Sequence, residues 1–85
     1  MPSLLVEQDA VEIGLRVLQA RKRLGRDQEE IALFANVSPR TVFAIEKGKP
    51  TVRFDMLARV LAAVGLKLSV EGRDKVWTPR SDELR

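Results

Sequence analysis

The spacing of apolar residues along the chain predicts a first helix from roughly residue 10 to residue 24. Apolar side chains recur there at intervals of three and four, the period of a helix that buries one face. These residues are Ile13, Val17, Ala20 and Leu24. Asp9 with Glu12 resembles a capping box at the start of this helix, and Gly25 is a typical stop. Residues 1–8 show no clear periodicity and are interpreted as a lead-in.

The next stretch carries the signals of two short helices joined by a tight turn. Asp27 with Glu30 forms a capping box, and Ser38 followed by Pro39 places a good N-cap before the residue best suited to the first helical position. Between them, Asn36 tolerates the left-handed backbone conformation that ends a helix sharply. The two predicted helices cover residues 28–35 and 38–48.

The second of these helices has an apolar side and an outward side. At about 100° per residue, Val42 and Ile45 fall on one side together with the Ser38 cap. The other side carries two cations, an aromatic ring and a methyl group, from Arg40, Lys47, Phe43 and Ala44. A short helix with this outer side can lie in a groove of DNA. The same spacing also fits an ordinary amphipathic helix pair, and periodicity alone does not separate the two readings.

The second half of the chain predicts one more helix and then a strand. Apolar residues have helical spacing between roughly residues 54 and 64, at Phe54, Leu57, Leu61 and Val64. Residues 66–71 alternate apolar and polar with period two, which is typical of a strand. A single strand in a helical chain needs a partner for its backbone hydrogen bonds, most simply the same strand of a second copy. The dimer interface would then contain Leu66, Leu68 and Val70.

Length and composition allow one small domain, which we assign to residues 9–71, followed by a polar tail at 72–85 that contains Trp77. The chain has 85 residues, a net charge of +3 and neither histidine nor cysteine. The absence of these residues excludes disulfides, imidazole bases and thiolate nucleophiles, so we expect no enzyme, cofactor or metal site. No leader or membrane-spanning pattern is present in the sequence, and we expect a cytoplasmic protein associated with the nucleoid.

Basic residues cluster on both sides of the two short helices. Those before them are Arg21, Lys22, Arg23 and Arg26, and those after Glu46 are Lys47, Lys49 and Arg53. Alone, such runs usually form a solvated face. Next to a helix pair that fits a DNA groove, they become candidates for phosphate contacts.

The residues between the capping box and Gly48 resemble the helix-turn-helix of the Cro/C1 (XRE-type) DNA-binding family. The similarity lies in Gln28-Glu29-Glu30-Ile31-Ala32, Asn36-Val37-Ser38, Thr41-Val42, Ile45-Glu46 and Gly48. It implies a salt bridge from Arg21 to Glu46. The expected base contacts are Ser38, Pro39, Arg40, Phe43 and Ala44, and the expected phosphate contacts are Arg23, Gln28, Thr41, Lys47 and Lys49.

Several of these positions have a second reading. Arg40 either binds guanine O6 and N7 or neutralises a phosphate, and Phe43 either meets a thymine methyl group or packs against a neighbouring helix. Gln28 is either a phosphate ligand or simply a good first-turn residue. Leu33 and Phe34 fall where such proteins often carry polar side chains, and they form either a protein-contact patch or a slightly larger core.

Four helices followed by a short dimerising strand are similar to the HipB-type antitoxins. The resemblance implies a mainly α fold, a four-helix XRE-type helix-turn-helix domain with a short C-terminal β-strand that pairs across a homodimer. It also implies a repressor of a palindromic double-stranded DNA operator that regulates its own operon and neutralises a HipA-like serine/threonine kinase toxin. Two alternatives stay open, a stand-alone XRE-family regulator without a toxin and an interaction module that does not read DNA.

Overall fold

The computed structural model describes residues 3–71 of the chain, with side chains from Val6 onward. Four helices lie in this range: α1 (Ser3–Leu24), α2 (Gln28–Ala35), α3 (Pro39–Glu46) and α4 (Phe54–Ala63). The prediction of a mainly α, four-helix domain is therefore confirmed. The predicted tail and its Trp77 lie outside the described residues.

Helix α1 is one continuous helix of 22 residues that begins at Ser3, so the predicted start near residue 10 was wrong. Asp9 and Glu12 both lie inside it. Their spacing of three residues also occurs along any helical face, and only a break in the preceding chain would have made it a start signal. Glu12 instead forms an exposed ion pair with Arg16 one turn later, with 3.2 Å between Glu12 Oε2 and Arg16 Nη2.

The predicted core stripe of α1 is correct in its middle and wrong at its end. Val17 and Ala20 are buried, and Ile13 packs against the core. Leu24 is 53% exposed, because the helix ends there and the chain turns away at Gly25, where φ is 71°. Leu15, on the same helix, is also exposed.

The core is formed where α3 packs against α1 and α2, and where α2 packs against α4. Every helix contributes one side chain that is completely removed from solvent, and these are Val17, Ile31, Val42 and Val60. Val42 and Ile45 lie on the inner side of α3, as the helical spacing predicts. Because all four helices meet at these side chains, the inner side of α3 is fixed and its other side is left facing outward.

Helix α1 crosses the end of α3 at Gly14, with the two backbones in direct contact. A Cβ atom placed on Gly14 would lie 2.3 Å from the carbonyl oxygen of Ile45 and 3.0 Å from that of Glu46. Any side chain at this position would therefore push the helices apart. Gly48 approaches the same helix near Val11, and its φ of 83° requires a residue without a Cβ.

The signals that define the two short helices are confirmed. Asp27 Oδ1 accepts a hydrogen bond from the Glu30 backbone N–H at 2.8 Å, and Glu30 Oε1 accepts from the Asp27 N–H at 3.0 Å. Asn36 ends α2 in the left-handed conformation, with φ of 58°. Ser38 Oγ accepts from the backbone N–H of Thr41, and Pro39 is the first residue of α3. These local interactions fix the angle between α2 and α3.

Residues 66–71 are not part of a β-strand in the described portion of a single chain, which contains no strand at all. A strand is defined by its hydrogen bonds to a neighbouring strand, so the predicted pairing between two copies stays a prediction. The segment follows α4 and runs beside α1. Together with Ile13, Arg16 and Leu61 it lines a groove of about 660 Å³.

Candidate nucleic-acid interface

The outer side of α3 presents a continuous polar and aromatic surface to solvent. Arg40, Phe43 and Lys47 are exposed, and Ala44 between them is half-buried. The buried residues Val42 and Ile45 lie on the opposite side of the same two turns. Helix α3 is therefore held from behind, and the four outward residues are free to enter a groove of a partner.

Arg40 is an exposed cation at the start of α3. Within residues 3–71, no carboxylate lies within ion-pair distance of its guanidinium group. The guanidinium carries five N–H donors in a planar fork, which match the two acceptors on the major-groove edge of guanine or the oxygens of a phosphate. The position of Arg40 in the first turn of α3 is the one that reaches furthest into a groove.

The N-terminal end of α3 is tied together by two hydroxyl groups. Ser38 Oγ and Thr41 Oγ1 lie 3.2 Å apart, and Ser38 Oγ also accepts the Thr41 backbone N–H at 3.2 Å. Both hydroxyls therefore support the helix start, while Pro39 next to them is exposed. A DNA contact from Ser38 or Thr41 would use the remaining hydrogen-bonding capacity of the same oxygen.

Phe43 and Lys47 contact each other on the outer side of α3. The Lys47 ammonium nitrogen lies 5.4 Å from the centroid of the Phe43 ring. Phe43 is still 49% exposed, so it does not pack into a neighbouring helix in the way that its alternative reading required. Lys47 covers one face of the ring and leaves the rest of it available.

A partly buried polar cluster joins the ends of three helices. Arg21 Nε donates to Glu46 Oε2 at 2.7 Å, and Arg21 Nη2 donates to Glu46 Oε1 at 3.1 Å. Gln28 Nε2 donates to the same Oε1 at 2.8 Å. The Arg21 and Glu46 side chains are only 12% and 5% exposed. We call Arg21, Gln28 and Glu46 the helix clamp, because it connects α1, the start of α2 and the end of α3.

The helix clamp also has an electrostatic consequence for Arg21. Its hydrogen bonds to the Glu46 carboxylate raise the pKa of the guanidinium above the ordinary value for arginine, against the opposing effect of burial. Arg21 Nη1 donates in addition to the carbonyl oxygen of Arg26 at 2.9 Å, in the turn between α1 and α2. The expected Arg21–Glu46 salt bridge is thus present and more buried than a surface pair.

The other predicted phosphate ligands differ in their exposure and in their position relative to α3. Lys49 is exposed just after α3, on the chain segment that leaves this helix. Gln28 is half-buried, and its amide already donates to Glu46, which leaves its second N–H and its carbonyl oxygen. Arg23 follows Arg21 by two residues, or about 200° around the helix, so it lies on the side of α1 away from α3.

Leu33 and Phe34 form an apolar surface on the outer side of α2. Leu33 is 78% exposed, so the alternative in which these residues enlarge the core was wrong. The Arg26 guanidinium carbon lies 5.1 Å from the centroid of the Phe34 ring. Arg26 also pairs with Glu30 at 3.6 Å, and this cation is therefore engaged on α2 rather than beside α3.

Sequence reasoning missed two residues that shape this surface. Gly14 lets α1 reach the backbone of α3, and the only signal of that contact was an isolated glycine inside a helical pattern. Gln28 was expected to contact a phosphate, and its additional role in completing the helix clamp was missed, because its position at the first turn of α2 did not indicate it. Both residues act on the placement of α3.

Comparison with known proteins identifies the family that this geometry fits. Residues 17–70, more than half of the chain, match the helix-turn-helix family of XRE type. No curated protein matches the chain. Among the described residues, no helix has the length and apolar character needed to cross a membrane, and no group of three or more acidic side chains could hold a metal ion.

Proposed function

The chain belongs to the helix-turn-helix family, whose XRE type consists of DNA-binding transcription regulators, and we propose that it is a sequence-specific repressor. The observation that carries this proposal is the outer side of α3, where Arg40 has no acidic partner among residues 3–71 and Phe43 is exposed next to it. A helix with this surface, held from behind by a buried core, has the form of a recognition helix. Bound over a promoter, such a protein would exclude RNA polymerase.

In the proposed complex, α3 lies in the major groove with its N-terminal end closest to the bases. Ser38, Pro39 and Arg40 reach the base edges first, and Phe43 and Ala44 follow one turn later. Phosphate contacts surround them at Thr41, Lys47, Lys49 and Gln28. Arg23 lies on the side of α1 away from α3 and stays a predicted phosphate contact outside this group. The backbone N–H groups of Gln28 and Glu29 have no partner within α2, which would favour an anion near Gln28, whereas the N–H of Glu30 is already capped by Asp27.

Replacing Arg40 with alanine should weaken binding to the preferred duplex much more than binding to a shuffled duplex. We expect a loss of about fivefold to 150-fold on the preferred duplex, because a bidentate guanine contact contributes about 1–3 kcal/mol of discrimination. Fluorescence anisotropy with a duplex enriched from a randomised library measures both affinities. Equal losses on the two duplexes would remove Arg40 from the base contacts.

Lys49→Ala is the matched variant for a phosphate contact. It should weaken binding to both duplexes alike and reduce the slope of log affinity against log salt by about one. A change in sequence preference with Lys49→Ala would contradict this assignment. If the wild-type chain enriched no duplex at low ionic strength, the proposed function itself would fail.

We further propose that the protein acts as a homodimer on a palindromic operator, with one α3 in each of two major grooves about 34 Å apart. The support is the period-two alternation at 66–71, and the exposure of Leu68 and Val70 in the single chain. Pairing of this segment between two copies would satisfy its backbone groups and cover both side chains. It would also fix the spacing of the two recognition helices.

Leu68→Lys should convert the dimer to a monomer, because it places a charge in the middle of the proposed strand pair. Static light scattering coupled to gel filtration measures the mass directly. Ser69→Lys is the control, since the adjacent residue of a strand points to the opposite face and the dimer should survive. A Leu68→Lys variant that kept the dimer mass would exclude this segment as the interface.

As the finer form of the proposal, we infer a HipB-like antitoxin that represses its own operon and binds a HipA-like serine/threonine kinase toxin. The support is the predicted order of four helices and a dimerising strand, together with the apolar surface at Leu33 and Phe34 that a partner protein could cover. The alternative is a stand-alone XRE-type regulator. Co-purification of a kinase-like protein encoded next to this chain would support the antitoxin, and its absence from a native operon would favour the alternative.

A further inference from the structure

The outer side of α3 has an apolar centre between two cations. Phe43 and Ala44 lie one turn after Arg40, and Lys47 follows one turn after Phe43. Phe43 is half exposed although it belongs to a helix whose other side is fully buried. Any duplex that accepts Arg40 must therefore also accept an aromatic ring and a methyl group in the same groove.

Lys47 restricts where the Phe43 ring can lie. Its ammonium group is 5.4 Å from the ring centroid, a distance at which the cation is attracted to the π-face. Lys47 therefore covers one face of the Phe43 ring, and the rest of the ring is left for contact with a ligand. The rest of the ring presents an exposed apolar surface.

The four bases differ in whether their major-groove edge offers an apolar contact to the Phe43 ring and the Ala44 methyl group. Thymine presents a C5-methyl group, whereas the edges of guanine, adenine and unmodified cytosine offer hydrogen-bond donors and acceptors in the groove. A phenyl ring placed over those polar groups would remove them from water without replacing their hydrogen bonds. The surface of Phe43 and Ala44 therefore discriminates in favour of a methyl group on the base.

The spacing along α3 relates this contact to the one made by Arg40. Phe43 and Ala44 lie about 4.5 and 6 Å further along the helix axis than Arg40, at about 1.5 Å per residue. Base pairs follow one another every ~3.4 Å along the duplex. For a helix lying along the groove, the two contacts are separated by one or two base pairs.

On the basis of the proposed function, we propose that each half-site contains a G·C pair read by Arg40 and, one or two base pairs away, a T·A pair whose methyl group packs against Phe43 and Ala44. The recognised class of ligand is thus a duplex with a methylated pyrimidine at a fixed distance from a guanine. This feature is narrower than DNA binding and can fail while DNA binding holds.

Uracil substitution tests the methyl contact without changing the protein. The full-length chain is used to enrich a duplex from a randomised library, and each thymine of that duplex is then replaced by uracil, which removes only the C5-methyl group. We expect one thymine in each half-site, within two base pairs of the guanine that Arg40 requires, at which uracil weakens binding about fourfold. The other thymines should tolerate the replacement.

The partner of the methyl group is identified by repeating the measurement with protein variants. In Phe43→Ala the thymine and uracil duplexes should bind with equal affinity at that position, whereas Phe43→Leu should keep part of the preference. Arg40→Ala should retain the thymine preference although its overall affinity falls. Phe54→Ala is the matched control, because Phe54 is also exposed but lies at the start of α4 and not on α3.

The outcomes test the thymine-methyl contact separately from the proposed DNA-binding function. A duplex that is enriched and bound, but at which no uracil replacement weakens binding, overturns this inference and leaves the proposed function intact. A thymine preference that persists unchanged in Phe43→Ala likewise overturns it, because another residue must then contact the methyl group. Failure of the wild-type chain to enrich any duplex overturns the proposed function, and this inference with it.

Discussion

Replacing Gly14 with alanine should lower the free energy of unfolding by about 3 kcal/mol. The added Cβ would lie 2.3 Å from the carbonyl oxygen of Ile45, far inside van der Waals contact, and the atom that it meets is backbone and cannot rotate away. Either α1 or the end of α3 must shift, which disturbs the buried contacts of Val17 and Ile45. Urea-induced unfolding followed by circular dichroism gives the change in stability.

The sign of the effect makes this a sharp test. From helix propensity alone, alanine in place of a glycine within a helix stabilises by about 1 kcal/mol. A Gly14→Ala variant that is more stable than the wild type would therefore contradict the close crossing. Gly14→Ser should be at least as destabilising as Gly14→Ala, and Gln19→Ala, an exposed position of the same helix, should change stability by less than about 0.5 kcal/mol.

Replacing Glu46 with alanine should cost a similar amount, about 3 kcal/mol, because it dissolves the helix clamp. Arg21 would keep its charge while only 12% exposed, and the Gln28 amide would lose its acceptor. Thermal or urea unfolding measures the loss. The exposed pair Glu12–Arg16 supplies the control, since Glu12→Ala removes an ion pair of the same type and should cost less than about 1 kcal/mol.

Two further measurements separate the clamp from a general packing defect. The double variant Arg21→Met with Glu46→Leu should be more stable than Glu46→Ala, because it leaves no unpaired charge behind. The pKa of Arg21 is raised, so its contribution is fully present below the ordinary pKa of arginine and is lost only as the pH rises through the higher folded value. The Arg21 part of the effect should therefore be constant around neutral pH. A Glu46→Ala variant with wild-type stability would show that the clamp contributes nothing.

The turn between α2 and α3 could be predicted in detail because its signals are local. The Asp27 capping box, the left-handed Asn36 and the Ser38 cap each act within three residues, so neighbouring sequence contains all that determines them. The start of α1 could not be found in the same way. Its first two turns lack a capping signal, and the pattern at Asp9 and Glu12 matched the interior of a helix equally well.

Burial was harder to predict wherever it depended on which element lies opposite. Leu24 continues the buried stripe of α1 in sequence but is exposed at the end of the helix, and Leu15 is also exposed. The contact at Gly14 and the role of Gln28 depend on the crossing of elements far apart in the chain. The Arg21–Glu46 pair was expected only through the family resemblance, since a separation of 25 residues carries no local signal.

Helices α2 and α3 are too short for this helix-turn-helix to be stable when separated from the rest of the domain. Each has eight residues, whereas isolated helices shorter than about 12–15 residues are marginal in water even when their composition is favourable. Their conformation must therefore come from α1 and α4, which cover their apolar sides. A synthetic peptide spanning residues 27–48 would be largely unstructured. Transfer of α2 and α3 to another protein scaffold would require substitutes for both supporting helices.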